Sequence, residues 1–297
     1  MKVLNITSDD YANLSYQIGE CLKAAGVDCT TMKLRPHVFG YTSQSPIVNE
    51  DTMLLGCRVF DVVQIFHSDL AALNIYRRSK TNAKLVVWHT GTPYRSNHRM
   101  MNTMFEGAIE ICDEASLMHL AIEPRYVHTG IDTDKIKPVY YKSGEYKFGH
   151  FPSNKERKGT EAILEALNET KVHYIYDDKI LATPLYYQRL SECDVYVEML
   201  NRFWHGEYGN YGVTATDAAA LGKIVITQCL YPEVYEEVYG KCELIFVRNQ
   251  GELIEKIEWI NNLSQSDFLN LQYQTRQWVA KKHNLKTTGE RVKSIIL

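Results

Sequence analysis

Short apolar runs, each followed by one amphipathic helical pattern, recur along this chain, and that alternation constrains the fold more than any other feature. KVLNIT (2–7) reads as a buried strand. After the loop SDDYAN (8–13), Leu14, Ile18, Leu22 and Ala25 share one face of a helix stopped by Gly26, and DCTTMKL (28–34) returns to strand. DVVQIFH (61–67) and KLVVWH (84–89) flank a helix at 69–79, and YVHTGID (126–132) is a short strand and turn. Continuously apolar strands joined by helices specify a parallel sheet covered on both faces. KPVYYKSGEY (137–146) is polar and aperiodic, and reads as a linker. The alternation then restarts. Strands fall at YKFGHF, VHYIY (172–176), DVYVEM (194–199), KIVITQ (223–228) and CELIFV (242–247). Helices fall at Thr160 to Leu167, 183–193, Gly212 to Leu221, 251–262 and 266–282. The expected fold class is α/β: two Rossmann-like domains facing across a cleft, the first at 1–138 and the second at 139–283. TTGERVKSIIL still carries apolar residues to bury, so 284–297 is expected to form a helix crossing back to the N-terminal domain.

Composition supports this and excludes other classes. The 297 residues are 45% hydrophobic and 23% charged, an ordinary globular balance with enough chain for two cores. A formal net charge of −3 gives no electrostatic case for a nucleic-acid binder. Seven cysteines, at 21, 29, 57, 112, 193, 229 and 242, are odd in number and widely spaced, which fits reduced thiols and a cytoplasmic location. MKVLNITSDD has no signal-peptide core, and no stretch approaches the roughly 18 apolar residues of a membrane span.

Parallel sheets bind ligands at the carboxyl ends of their strands, and four stretches lie there. GEYGNYGVTATDAAALGK (206–223) opens in glycines that let backbone N–H groups approach a ligand, at a helix start that favours phosphate. Its helix is small and apolar nearly all round, so Asp217 is expected to be buried and to need a partner. HFPSNKERKGTEAILEAL (150–167) brings Lys155, Arg157 and Lys158 to another helix start, which suits a diphosphate, although a solvated loop is the commoner meaning of such a run. HTGTPYR (89–95) places His89 and Arg95 after a strand. In SDDYAN, Asp10, Tyr11 and Asn13 are candidates on the acceptor side, with Arg95; Asn13 is also a plausible helix cap.

Taken together, VHTGIDTDKIKP, FGHFPSNKERKGTEAILEAL, LSECDVYVEM and GEYGNYGVTATDAAALGKIVIT resemble the retaining glycosyltransferases of family 4, which have the GT-B fold. The likeness covers about 120–262 well and the N-terminal half loosely. It implies transfer of a sugar from a nucleotide-diphosphate sugar, with retention and without a metal or other cofactor. The acceptor is unspecified: a glycan, lipid, small molecule or modified nucleic acid. The donor-binding residues it implies are Lys158 and Arg157, then Gly209, Asn210, Tyr211, Gly212, Val213 and Thr214 at the helix start. Asp217 falls where the family bonds the ribose, and His89 where it has a histidine near the donor sugar. Two departures stand out. The family's first acid falls on Gly209, with Glu207 two residues out of register and paired with His89 as a catalytic candidate. His150 replaces the phosphate-loop arginine. Three other readings stay open: nucleotide-sugar binding without transfer, an epimerase using Asp9 and Asp10, and a DNA-modifying glycosyltransferase.

Overall fold

The computed structural model describes residues 1–37, 39–41, 43–201 and 211–297. It divides into two compact units, Met1–Ile131 with His283–Leu297, and Asp132–Lys282. The first unit runs β1 (Lys2–Thr7), α1 (Leu14–Ala24), β2 (Asp28–Lys33), α2 (Glu50–Val59), β3 (Val62–Ile65), α3 (Leu70–Ser79), β4 (Lys84–His89), α4 (Gly91–Met104), β5 (Ile109–Cys112) and β6 (Arg125–Tyr126). These strands form one parallel sheet in the order β2-β1-β3-β4-β5-β6. Its alternate side chains feed two apolar layers. Leu4, Ile6, Val63 and Ile65 pack with residues of α2, α3 and α4. Val3, Val62, Val86 and Trp88 pack on the opposite face with Leu14, Ile18 and Leu22 of α1.

The second unit runs β7 (Phe148–His150), α5 (Lys155–Lys158), α6 (Thr160–Glu169), β8 (Tyr174–Tyr176), α7 (Thr183–Ser191), β9 (Val195–Val197), α8 (Val213–Ala220), β10 (Ile224–Gln228), α9 (Pro232–Tyr239), β11 (Ile245–Val247), α10 (Gln250–Asn261) and α11 (Gln265–Lys282). Its parallel sheet has the order β11-β10-β9-β7-β8. In each unit the chain reverses its direction of winding beside the first strand, between β1 and β3 and between β7 and β9. Such reversals open a crevice at the strand ends.

The chain then returns to the first unit as α12 (Leu285–Ile296), whose expected crossing back is seen. α12 lies along α1, with Val292 and Ile296 buried in the α1 layer. Close approach is possible because residue 289 is glycine: a Cβ there would stand 1.8 Å from the Cys21 carbonyl oxygen. The unit boundary falls at Ile131 and Asp132 instead of after 138. The polar run expected to be a linker belongs to the second unit, where Tyr141 N–H donates to Gln272 and Lys223 donates to the Val139 carbonyl. Elements α2, α4, β5 and α9 had no counterpart in the sequence pattern; α4, for example, is rich in Thr, Asn and Arg and shows only a thin apolar stripe.

Candidate functional site

The strand ends of the second unit converge on one carboxylate, Glu198, immediately after β9. It is fully buried. It accepts from Lys158 Nζ at 2.7 Å, Gly212 N–H at 3.0 Å, and the hydroxyls of Thr214 and Thr227 at 2.8 Å each. Burial disfavours its charge, but the Lys158 ammonium and these donors outweigh burial and hold its pKa below the ordinary range. Glu198 thus caps α8 from another strand, where a helix N-terminus favours an anion. The N–H groups of Val213 and Thr214, in the first turn of α8, have no acceptor within their own helix. Gly159 makes the arrangement possible: it has φ of +66°, and a Cβ on it would meet the Leu200 carbonyl oxygen at 1.6 Å. Lys158 can therefore pack directly against the strand end, its carbonyl accepting from Leu200 N–H at 3.0 Å.

Asp217 lies farther along α8 and is 8% exposed. Among the described residues its one hydrogen-bond donor is Tyr187 Oη, at 2.7 Å. Burial pushes its pKa up to about 7, although the Tyr187 bond opposes the rise. The partner of the buried acid within the chain is therefore a tyrosine of α7. His150, at the end of β7, is wholly enclosed. Its Nδ1–H donates to the Val197 carbonyl at 2.8 Å, and Nε2 accepts from the Thr160 hydroxyl at 2.9 Å. Burial lowers its pKa to about 4, so it stays neutral. It ties β7 to β9 and α6, with no nitrogen left for a phosphate.

Other expected donor residues are placed differently. Arg157 is exposed on α5, its carbonyl bonded by Asn201 Nδ2 at 3.0 Å and its N–H capped by Asn154. Tyr211 is 4% exposed and packs among Tyr235, Phe246 and Trp278. Glu207, Gly209 and Asn210 lie outside the described residues. Glu198 and Tyr187 were missed by sequence reasoning. Glu198 had a signal: a lone acid in the apolar run DVYVEM poses the same problem as Asp217. Tyr187 had none, because a tyrosine in a helix carries no sign of what it will meet.

In the first unit, the ends of β3 and β4 are cross-bonded by two His-hydroxyl dipeptides. His67 Nδ1 and Thr90 Oγ1 are 2.7 Å apart, and Ser68 Oγ and His89 Nδ1 2.9 Å apart. His89 is fully buried, stacked on Tyr94, with Nε2 3.7 Å from Glu110. The outer imidazole is His67, whose side chain is 12% exposed. The sequence directed attention to His89, yet the neighbouring strand presents the more accessible ring. Asp10 is also enclosed: it accepts from Ser15 N–H at 2.8 Å, Tyr16 N–H at 3.1 Å and the Ser15 hydroxyl at 2.7 Å, fastening the start of α1. Arg95 is 9% exposed and donates to Glu114 at 2.6 Å and Ser116 at 3.1 Å. Asn13 donates to the Ser43 carbonyl, and Tyr11 is 58% exposed. No group of three or more potential metal ligands occurs among the described residues.

No family model matches the chain, and no curated protein does. Solved structures do. HepE of Anabaena in complex with UDP-glucose superposes with a TM-score of 0.69 at 11% identity, over 99% of this chain and 98% of that one. An alpha-glucosyltransferase in complex with UDP and a 13-mer DNA gives 0.71 at 11% identity, over 100% and 99%. Sucrose-phosphate synthase from Thermosynechococcus elongatus gives 0.64 at 13% identity, over 99% and 98%. The chain has the GT-B fold. Both parallel sheets are accounted for by the GT-B match, which covers the N-terminal unit as well as the second. Within this GT-B chain, Glu198, Lys158 and the α8 start occupy the winding reversal of the second sheet; Ser8–Asn13 and His67 occupy that of the first. No helix among the described residues is long and apolar enough to cross a membrane.

Proposed function

We propose that the protein transfers a sugar from a nucleotide-diphosphate sugar, binding the donor at the strand ends of the second unit. The observation that carries this reading is the pairing, on one helix, of an anion-favouring start (Gly212 to Thr214, braced by Glu198 and Lys158) with a buried acid that has a single donor. The diphosphate would take the N–H groups of Val213 and Thr214 and share the Lys158 ammonium. The ribose hydroxyls would donate to Asp217. As the glycosidic bond breaks, charge builds on the leaving diphosphate, where fixed N–H dipoles and an ammonium stabilise it most. That supply of positive charge is why the proposed transfer needs no metal. Retention of configuration and kinship to family 4 belong to the same proposal, as does a cytoplasmic site of action, in keeping with seven free, buried thiols. The known ligands of the GT-B neighbours, UDP-glucose for HepE and UDP for the alpha-glucosyltransferase, support a nucleotide donor.

Calorimetric titration with UDP, GDP and ADP tests the reading. At least one should bind. Asp217→Asn should weaken it by roughly 1–3 kcal/mol while leaving the 2′,3′-dideoxy analogue equal on both proteins. If no diphosphate binds, or Asp217→Asn prefers the ribose form as strongly as wild type, the donor site is elsewhere. A second reading, donor binding without transfer, is favoured by the complete enclosure of His89, the histidine expected near the sugar. Binding of a nucleotide sugar with no release of its nucleoside diphosphate, across sugar, lipid and nucleic-acid acceptors, would select it.

A further inference from the structure

Glu198 stands where the chain would be expected to receive a phosphate. An anion at a helix start is held by N–H groups, and a hydroxyl and a cation strengthen the grip. Glu198 Oε1 already has all three: Gly212 N–H at 3.0 Å, Thr214 Oγ1 at 2.8 Å and Lys158 Nζ at 2.7 Å. Its other oxygen accepts from Thr227 Oγ1 at 2.8 Å. Capping alone does not call for this residue, because a neutral Ser or Asn at the N-cap would serve. The N-cap of α8 is Gly212, and a full charge is brought to it from the end of β9 instead. No second cation offsets that charge from the neighbouring strand, since His150 at the end of β7 is neutral and has both nitrogens engaged. Lys155 is paired with Asp178, and Arg157 is exposed on α5. Among the described residues, the α8 start therefore meets a ligand with the Lys158 charge already balanced, and Asp217 adds a second acid on the same helix.

A balanced site treats the two forms of the nucleotide differently. In a nucleotide sugar each phosphate of the diphosphate is substituted on both sides and carries one negative charge. When the bond from the sugar carbon to the diphosphate oxygen breaks, that oxygen keeps the electron pair. The terminal phosphate is then of monoester type, with a second ionisation near pH 6. At neutral pH the released nucleoside diphosphate thus carries about one charge more than the donor did, and carries it on the terminal phosphate. A fixed carboxylate beside the phosphate site opposes that added charge.

We propose that Glu198 is a specificity-determining residue of the donor site: a resident carboxylate that disfavours the nucleoside diphosphate relative to the nucleotide sugar, and so speeds product release. The proposal rests on the donor reading of this helix start. It is compatible with stabilising the leaving group, because only part of the added charge has developed while the bond is breaking. The N–H dipoles and Lys158 act on that part, and the carboxylate limits how tightly the full charge is kept afterwards.

Glu198→Gln removes the charge and keeps the shape. Its amide oxygen can hold Gly212, Thr214 and Lys158, while Thr227 Oγ1 turns from donor to acceptor and meets the new NH2. Calorimetric titration of wild type and variant with UDP, GDP and ADP, and with their glucose esters, tests the proposal. In the variant the nucleoside diphosphate should bind about tenfold more tightly, and its glucose ester by no more than about threefold. An equal change for both ligands, or weaker diphosphate binding, overturns the proposal and leaves Glu198 as a brace of α8. If neither protein binds any of these ligands, the donor reading falls and the proposal with it. A measurement on wild type alone covers a variant that fails to fold. Between about pH 5.5 and 7.5 the terminal phosphate of the diphosphate ionises and that of the glucose ester does not. Asp217 serves the ribose common to both ligands, and His150 stays neutral, so the ratio of the two affinities reads the added charge. That ratio should hold or move toward the glucose ester as pH rises; a move toward the diphosphate overturns the proposal.

Discussion

Asp217 and His150 sit in the same unit and pull its stability in opposite directions with pH. Burial pushes the Asp217 carboxyl up to about 7 in the fold, against an ordinary 3.8. Between those limits the native state keeps a proton that the unfolded chain releases, so this group lowers stability as pH rises from 4 to 7, and the cost is constant above. His150 titrates at about 4 against 6.5. The unfolded chain binds its proton first, so this group lowers stability as pH falls from 6.5 to 4. In wild type the two slopes offset each other over that shared window. Asp217→Asn removes one of them. Without ligand, the variant should be more stable than wild type by on the order of 1–3 kcal/mol at pH 8, with the gap closing by pH 4. Its own stability should fall on acidification below 6.5. Urea unfolding at pH 8, 6.5 and 4 checks the size and sign. The Lys158 ion pair gives a second expectation. Lys158→Ala strands the Glu198 charge in the interior and should cost about 3–5 kcal/mol, whereas adding Glu198→Gln should restore part of it. The double variant therefore separates the lysine's structural work from any contact it makes with a phosphate.

At the scale of the element, single glycines set how closely pieces approach. α12 reaches α1 at Gly289, where a Cβ would fall 1.8 Å from the Cys21 carbonyl oxygen and 3.0 Å from Ala25 Cβ. Backbone cannot give way as a flexible side chain can. Gly289→Ala should therefore force α12 away from α1 and lower stability by about 1–3 kcal/mol, the usual cost of overpacking, despite alanine's better helix propensity. A melting curve showing a rise instead would mean that α12 packs otherwise. The same physics applies to Gly159, where positive φ and contact with Leu200 both demand glycine. The KGT of the sequence motif is thus a packing requirement before it is a ligand requirement.

At the scale of the whole molecule, the first unit is built from both ends of the chain. Its α1 layer is incomplete without Val292 and Ile296, each contributing about 1.5–3 kcal/mol when buried. Lys84 Nζ also donates to the Ile296 carbonyl, and Lys293 Nζ to the Ala25 carbonyl at the end of α1. A chain ending at Lys282 should lose the cooperative unfolding of the first unit. The second unit, whose described core cluster lies wholly within Asp132–Lys282, should keep its own transition. Differential scanning calorimetry of the truncated chain would read both.

The sequence by itself determined the layers. Buried parallel strands are apolar throughout and their helices are amphipathic, so KVLNIT, KLVVWH or KIVITQ announces its place without reference to anything distant. It also located the glycine-bearing helix starts of α6 and α8, because only local backbone conformation was at stake, and it marked Asp217 as an acid in need of a partner. The tertiary structure decided who the partners are. Tyr187 for Asp217, Glu198 for Lys158, and the crossed His67–Thr90 and Ser68–His89 pairs all join residues far apart in the chain. Such pairings depend on strand order and on which side chain points inward at a strand end. A sequence pattern carries the period of an element, and carries neither its neighbours nor the direction of its last residue.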